Sequence, residues 1–158
     1  MKDQAHLIRK IAIELSSVAS TLDSHKCKQN LMNFDYSIDG DMELSSHFRL
    51  SEFRSKDGAD TVLVDRRLIE KLQIMRYKLE KPIIVISGYR TPEHNRSKAV
   101  GGAKQSEHRN GTAADIKVAG YTGDQLASLA REVGFTGIGI GAEMCHVDVR
   151  PQRTEWRY

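Results

Sequence analysis

The chain has 158 residues, a formal charge of +3, 39% hydrophobic and 28% charged residues, and two cysteines. That length suits one domain with an additional segment and leaves little room for two full domains, while the composition argues against disorder. The basic residues are scattered rather than massed, which speaks against a nucleic-acid partner, and no segment approaches the roughly 20 apolar residues of a membrane span.

In chain order, residues 5–22 place Leu7, Ile8, Ile11, Leu15, Val18 and Leu22 at steps of mostly three and four, which predicts an amphipathic helix with a packing role. Arg9, Lys10 and Glu14 break its apolar pieces, so no secretory h-region is found and synthesis as a cytoplasmic protein is expected. Residues 23–41 are polar, contain Asp39-Gly40 and read as a linker, with a boundary near Ser45. Two parts follow from this: residues 1–45, a helix and its lead-in, and residues 46–158, the main domain.

Within the main domain, Leu50-Ser-Glu-Phe53 predicts a short helix capped by Ser51. Residues 65–79 predict a longer one with Leu68, Leu72, Met75 and Leu79 on one face and Asp65 as N-cap. The β-branched run at residues 82–87 predicts a buried strand ending at Ser87-Gly88. Residues 113–118 predict a second strand, and residues 121–133 a helix starting near Thr122 or Asp124. Short strands are expected at 138–140 and 145–149 around a turn at Gly141-Ala142. There is no GxGxxG, P-loop or internal repeat, so nucleotide binding has little support. Cys27 and Cys145 form neither a CxxC pair nor a disulfide framework.

The chemistry-bearing residues lie in three stretches. In SEHRNGTAADI, His108 and Asp115 flank a turn at Asn110-Gly111, which lets both side chains face one space. In EMCHVDVR, His146 on a strand shares a face with Asp148, two residues on. Two histidines and an aspartate make a three-ligand set of the kind that leaves a fourth zinc position open for water. Glu143, three residues before His146, is placed to act as general base. Asp148 either steadies a ligand histidine or pairs with Arg150. In SGYR, Arg90 follows the predicted strand, where its guanidinium can grip a carboxylate or an oxyanion. The plainer alternative for Arg90 is a surface ion pair with Glu93.

SGYRTPEHN, GGAKQSEHRNGTAADI and GIGIGAEMCHVDVR together resemble the zinc D,D-peptidases, in the compact D-alanyl-D-alanine carboxypeptidase-like form found in wall enzymes of bacteria and phages. LSEFRSKDG resembles the opening segment of that domain, with Ser55 where a cysteine is frequent, and the likeness runs from His47 to Arg150. The resemblance implies an α+β fold with a small, mainly antiparallel central sheet flanked by helices, like the hedgehog and D,D-peptidase domains, plus an extra N-terminal helix. It implies Zn2+ held by His108, Asp115 and His146, with Arg90 stabilising the substrate carbonyl or carboxylate. Ser106 then lines the substrate site, and Glu143 is the acid/base. The activity implied is hydrolysis of an amide bond in peptidoglycan stem peptides or cross-links, in the setting of a phage or prophage endolysin. Two alternatives stand beside it: a non-catalytic zinc-containing binding domain, and an intracellular D-Ala-D-Ala dipeptidase. The cleaved bond and the oligomeric state are left open.

Overall fold

The computed structural model describes residues 30–158. The helix expected at residues 5–22 lies outside them. Three sheets and five short-to-medium helices make up the unit Leu31–Tyr158. In chain order the elements are β1 (Leu31–Asp35), α1 (Tyr36–Asp39), β2 (Glu43–Ser45), β3 (Phe48–Arg49), α2 (Leu50–Phe53), β4 (Thr61–Asp65), α3 (Arg66–Leu79) and β5 (Ile84–Ser87). They continue with α4 (Pro92–Arg96), a 3-10 turn (Glu107–Asn110), β6 (Ala113–Lys117), α5 (Gly123–Val133), β7 (Gly137–Ile140), β8 (Cys145–Asp148) and β9 (Thr154–Arg157). This is the expected α+β architecture. Among the described residues, no helix is long and apolar enough to cross a membrane.

The main sheet runs β5-β6-β8-β7-β9, antiparallel throughout except for the parallel pair β7 and β9. Because neighbouring side chains along a strand alternate between faces, the sheet has two unlike sides. Ala114, Ile116, Cys145, Val147, Ile138 and Ile140 belong to the core. They share it with Leu126, Ala127 and Ala130 of α5, which packs on β7 and β8, and with Leu68, Leu72 and Met75 of α3, which packs on α5. The opposite face carries Ser87, Asp115, His146 and Trp156, and it holds the site.

Local chemistry accounts for the element ends. The Asp65 side chain accepts a hydrogen bond from the Arg67 N–H and starts α3, as expected. Thr122 and Gln125 exchange bonds at the start of α5, where the Gln125 amide oxygen accepts from the Thr122 N–H and the Thr122 hydroxyl accepts from the Gln125 N–H. The cap of α2 is at Arg49 rather than Ser51: the Glu52 carboxylate reaches back to accept from the Arg49 N–H at 2.7 Å.

Three expectations need correction. Residues 31–45 are not irregular: Leu31–Asp35 pairs antiparallel with β4, its inward residues Met32 and Phe34 packed against the core. Three strands of the main domain, β3, β4 and β9, lie where none was expected. And β5 is an edge strand, with Ile84 52% exposed, rather than a buried one. Its β-branched composition reflects fit to a pleated surface, which edge and centre share.

Phe53 closes the core where α2 meets the main sheet, 1% exposed, and its carbonyl accepts from the Tyr89 N–H at 2.8 Å. Gly88 makes that crossing possible, since a Cβ there would stand 2.5 Å from the Phe53 Cα. This junction sets the direction in which Arg90 leaves β5. Truncating Phe53 to Ala is expected to cost about 3–5 kcal/mol, read from urea denaturation; a loss under about 1 kcal/mol would show that this corner is not part of the core.

Candidate metal centre and substrate cleft

Each ligand candidate is delivered by a different piece of chain. Asp115 is the central residue of β6 and sits directly opposite His146 of β8. His108 comes from the 3-10 turn, which closes at Gly111 in the left-handed conformation (φ 70°). A side chain there would be strained by φ and would meet the Leu63 carbonyl at 2.4 Å. The glycine of the HRNG stretch therefore allows the chain to double back under β4, where the Asp65 N–H donates to its carbonyl at 2.8 Å.

All three side chains are buried, at 3% for His108, 8% for Asp115 and 4% for His146. His108 Nδ1 donates to the Gly88 carbonyl at 2.7 Å. A carbonyl can only accept, so in the neutral ring the lone pair of His108 is on Nε2. His146 Nε2 lies 3.0 Å from Asp148 Oδ2, which leaves its lone pair on Nδ1. These two lone pairs and Asp115 Oδ1 converge on one point: Nε2 to Nδ1 3.2 Å, Nε2 to Oδ1 3.2 Å, Nδ1 to Oδ1 2.9 Å. A tetrahedral ion with bonds of about 2.0 Å would separate its ligands by roughly 3.3 Å. Three converging acceptors need positive charge among them, and two imidazoles with one carboxylate are the donors of an open zinc site.

The surrounding charges fit that role. Burial alone raises the Asp115 carboxyl pKa, but the adjoining His108 and His146 rings outweigh it and hold the group well below the ordinary carboxylate range. Burial opposes charge on His146, yet Asp115 and Asp148 together raise its pKa. Asp148 is pulled down to about 2: burial pushes up, and the bonds from His146 and Arg150 overcome it. The two readings of Asp148 are thus both met, because it accepts from His146 Nε2 and from Arg150 Nε and Nη2 while fully buried.

Arg90 lies at the side of the cluster, with Nε on Ser87 Oγ at 2.8 Å and Nη2 on Asp115 Oδ2 at 2.5 Å. It does not pair with Glu93, which holds Arg96 at 3.0 Å. Arg90 and Ser106 line a cleft of about 510 Å³ whose floor is His108, Asp115 and His146. That volume is ordinary for a small-ligand or peptide site. The structure does not bring Glu143 into this group. The turn closed by the Gly141 N–H on the Met144 carbonyl leaves the Glu143 side chain 81% exposed, 3.8 Å from Lys117 Nζ, and Met144 lines the cleft instead.

Two walls complete the cleft, the first in the loop from Thr91 to Lys104 expected to shape the pocket and the second not anticipated. One is the backbone around Gly101, Gly102 and Ala103, fastened by the fully buried Asn95, whose Nδ2 donates to the Ala103 carbonyl at 2.9 Å. The other is Met144, Trp156 and Tyr158. The legible signal for the second was the i, i+2 spacing of Trp156 and Tyr158, which puts both on one strand face.

Replacing His108 with Ala is expected to abolish stoichiometric zinc binding. Replacing Asp148 with Ala is expected to leave a site that still binds, about 10–100-fold more weakly. Competition with a chromophoric chelator measures both, and a His108→Ala protein that retains one tightly held zinc would refute the ligand assignment.

Comparison with known proteins agrees with the geometry. Residues 44–150, more than half of the chain, match the model of the family described as Peptidase M15. The chain is 44% identical over 69 residues to a zinc D-Ala-D-Ala carboxypeptidase of Streptomyces albus G; the aligned stretch is 43% of this chain and 26% of that protein, so about a quarter of the relative's length is represented. The matched span contains the converging His108, Asp115 and His146 together with Arg90 and Ser106, and the chain accordingly belongs to the peptidase M15 family.

Proposed function

We propose that this protein is a zinc-dependent peptidoglycan peptidase that hydrolyses an amide bond of wall stem peptides or their cross-links. The observation that carries the reading is the convergence of two histidine lone pairs and one carboxylate oxygen at the floor of a cleft bordered by Arg90. The zinc carboxypeptidase relative supports the choice of metal and substrate class.

Zinc at His108, Asp115 and His146 would supply a Lewis acid and bring the pKa of bound water to about 7. The protein's own groups do the rest. Gly88 and Asp148 fix the tautomers of His108 and His146, so that the lone pairs face inward. Arg90, held by Ser87 and Asp115, presents its guanidinium edge to the substrate carbonyl or carboxylate. Glu143 is the proposed acid/base, taking a proton from the attacking water and passing it to the leaving amine as the C–N bond breaks; its carboxylate is turned to Lys117 here, and this role requires it to turn to the cleft beside Met144. Ser106 and the backbone from Gly101 to Ala103 receive the substrate.

The setting we propose is a phage or prophage endolysin acting on the wall. An open cleft suits a polymer-borne peptide better than a free dipeptide, since Tyr158 at its mouth is 72% exposed. The presence of Arg90 at the cleft favours catalysis over a purely structural zinc site, which needs no such donor.

Mass spectrometry of fragments released from purified peptidoglycan tests this. Stem or cross-bridge fragments are expected with zinc-loaded protein and not after chelation. Glu143→Ala is expected to slow release about a hundredfold or more with zinc retained, whereas Lys117→Ala should not abolish it. Zinc-loaded protein that releases nothing would overturn the reading.

A further inference from the structure

The register of the main sheet places one residue from each strand in a single row across it. Ser87 of β5 is opposite Asp115 of β6, Asp115 opposite His146 of β8, His146 opposite Gly139 of β7, and Gly139 opposite Trp156 of β9. Paired residues share a face, so the row is the floor of the cleft. Strands lie about 4.8 Å apart, which makes the row about 19 Å long, the length of roughly five or six extended residues.

The metal ligands occupy the middle of this row, and unlike groups occupy its ends. At the β5 end stands Arg90, bonded to Ser87. At the β9 end, Trp156 leans across the bare Gly139: a Cβ on Gly139 would meet the indole at 2.7 Å. The indole thereby reaches the His146 ring, with centroids 5.1 Å apart, and Arg150 covers it at 5.2 Å. Tyr158 continues the wall edge-on to Trp156 at 6.1 Å, tied down by its N–H on the Ile140 carbonyl at 3.1 Å. An exposed tyrosine ring fixed at the mouth of a cleft is a surface for a ligand to lie on. Residues 151–158 lie beyond the span matched to the family.

From this juxtaposition we infer that Trp156 and Tyr158 form the specificity wall for the acyl side of the substrate, the stem peptide N-terminal to the cleaved bond, while Arg90 takes the opposite end. The inference rests on the peptidase reading for its substrate class. A peptide crossing the row with its scissile bond over Asp115 and His146 has one end at a cation and the other at an aromatic shelf. The end at the guanidinium is the one that carries a carboxylate or the polarised carbonyl. The other end is the acyl chain, whose methyl groups and methylenes the rings can cover. The indole stands against the His146 ring at 5.1 Å and the Tyr158 ring lies a further 6.1 Å from the indole, so an acyl chain must run on for a few extended residues beyond the scissile bond to cover both rings. The length of the acyl side, rather than the leaving residue, is therefore what this wall reads.

Two probes isolate the effect: N-acetyl-D-Ala-D-Ala, and a stem pentapeptide ending in D-Ala-D-Ala. The zinc-loaded wild type is expected to prefer the pentapeptide by about tenfold in kcat/KM. Tyr158→Ala should bring that ratio to within about twofold of one with zinc content unchanged, and Tyr158→Phe should restore it, because the ring and not the hydroxyl supplies the contact. A wild-type ratio near one, or a ratio that Tyr158→Ala does not alter, would overturn the wall. If zinc-loaded wild type cleaves neither peptide, the peptidase reading is decided by the release of fragments from whole peptidoglycan, and fluorescence decides the wall separately. Trp156 is the single tryptophan of the chain and reports on its own surroundings. The pentapeptide must shift its emission at about a tenfold lower concentration than the dipeptide, with the difference lost in Tyr158→Ala; equal responses, or none, would refute the proposal.

Discussion

Three acceptors brought within 3.2 Å of one another in a buried place are the constraint on which the rest of the site depends. Two imidazole lone pairs and an anionic oxygen repel unless positive charge is placed among them, and burial sharpens the repulsion because little water is present to screen it. The neighbouring groups serve that charge. Gly88 and Asp148 direct the histidines, Arg150 balances Asp148, and Arg90 holds the outer oxygen of Asp115 so that the inner one faces the histidines.

The sheet supplies the geometry that loops alone would hold less firmly. Asp115 and His146 are partners across two central antiparallel strands, so their separation is set by the ladder rather than by side-chain choice. A single-residue slip of β8 would turn His146 into the core and bring Cys145 to the cleft. The core-facing set Ile116, Cys145 and Val147 opposes that slip, since it is buried against the helices. Burial also raises the Cys145 thiol to about 12, which keeps it an inert packing group beside His146.

Much of this was readable from residues. The helices at Arg66–Leu79 and Gly123–Val133 carried their periodicity and their caps openly, and the His108-Asp115-His146 set was recognisable from its motifs. What escaped reading was what depends on partners far away in sequence. Thr61–Asp65 and Leu31–Asp35 exist as a pair, and each alone is too short to announce itself. Thr154–Arg157 becomes a strand because β7 offers it an edge, and Trp156 reaches the site only because Gly139 is bare. Glu143 shows the reverse limit: spacing places it near His146 along the chain, while the turn from Gly141 to Met144 decides where its carboxylate points.

The most direct test of the account is X-ray absorption at the zinc edge of the metal-loaded protein. The account predicts two imidazole nitrogens near 2.0–2.1 Å and carboxylate oxygen near 2.0–2.2 Å, with no sulfur. A sulfur scatterer near 2.3 Å, or a shell without histidine, would contradict the central claim that His108, Asp115 and His146 form the metal site.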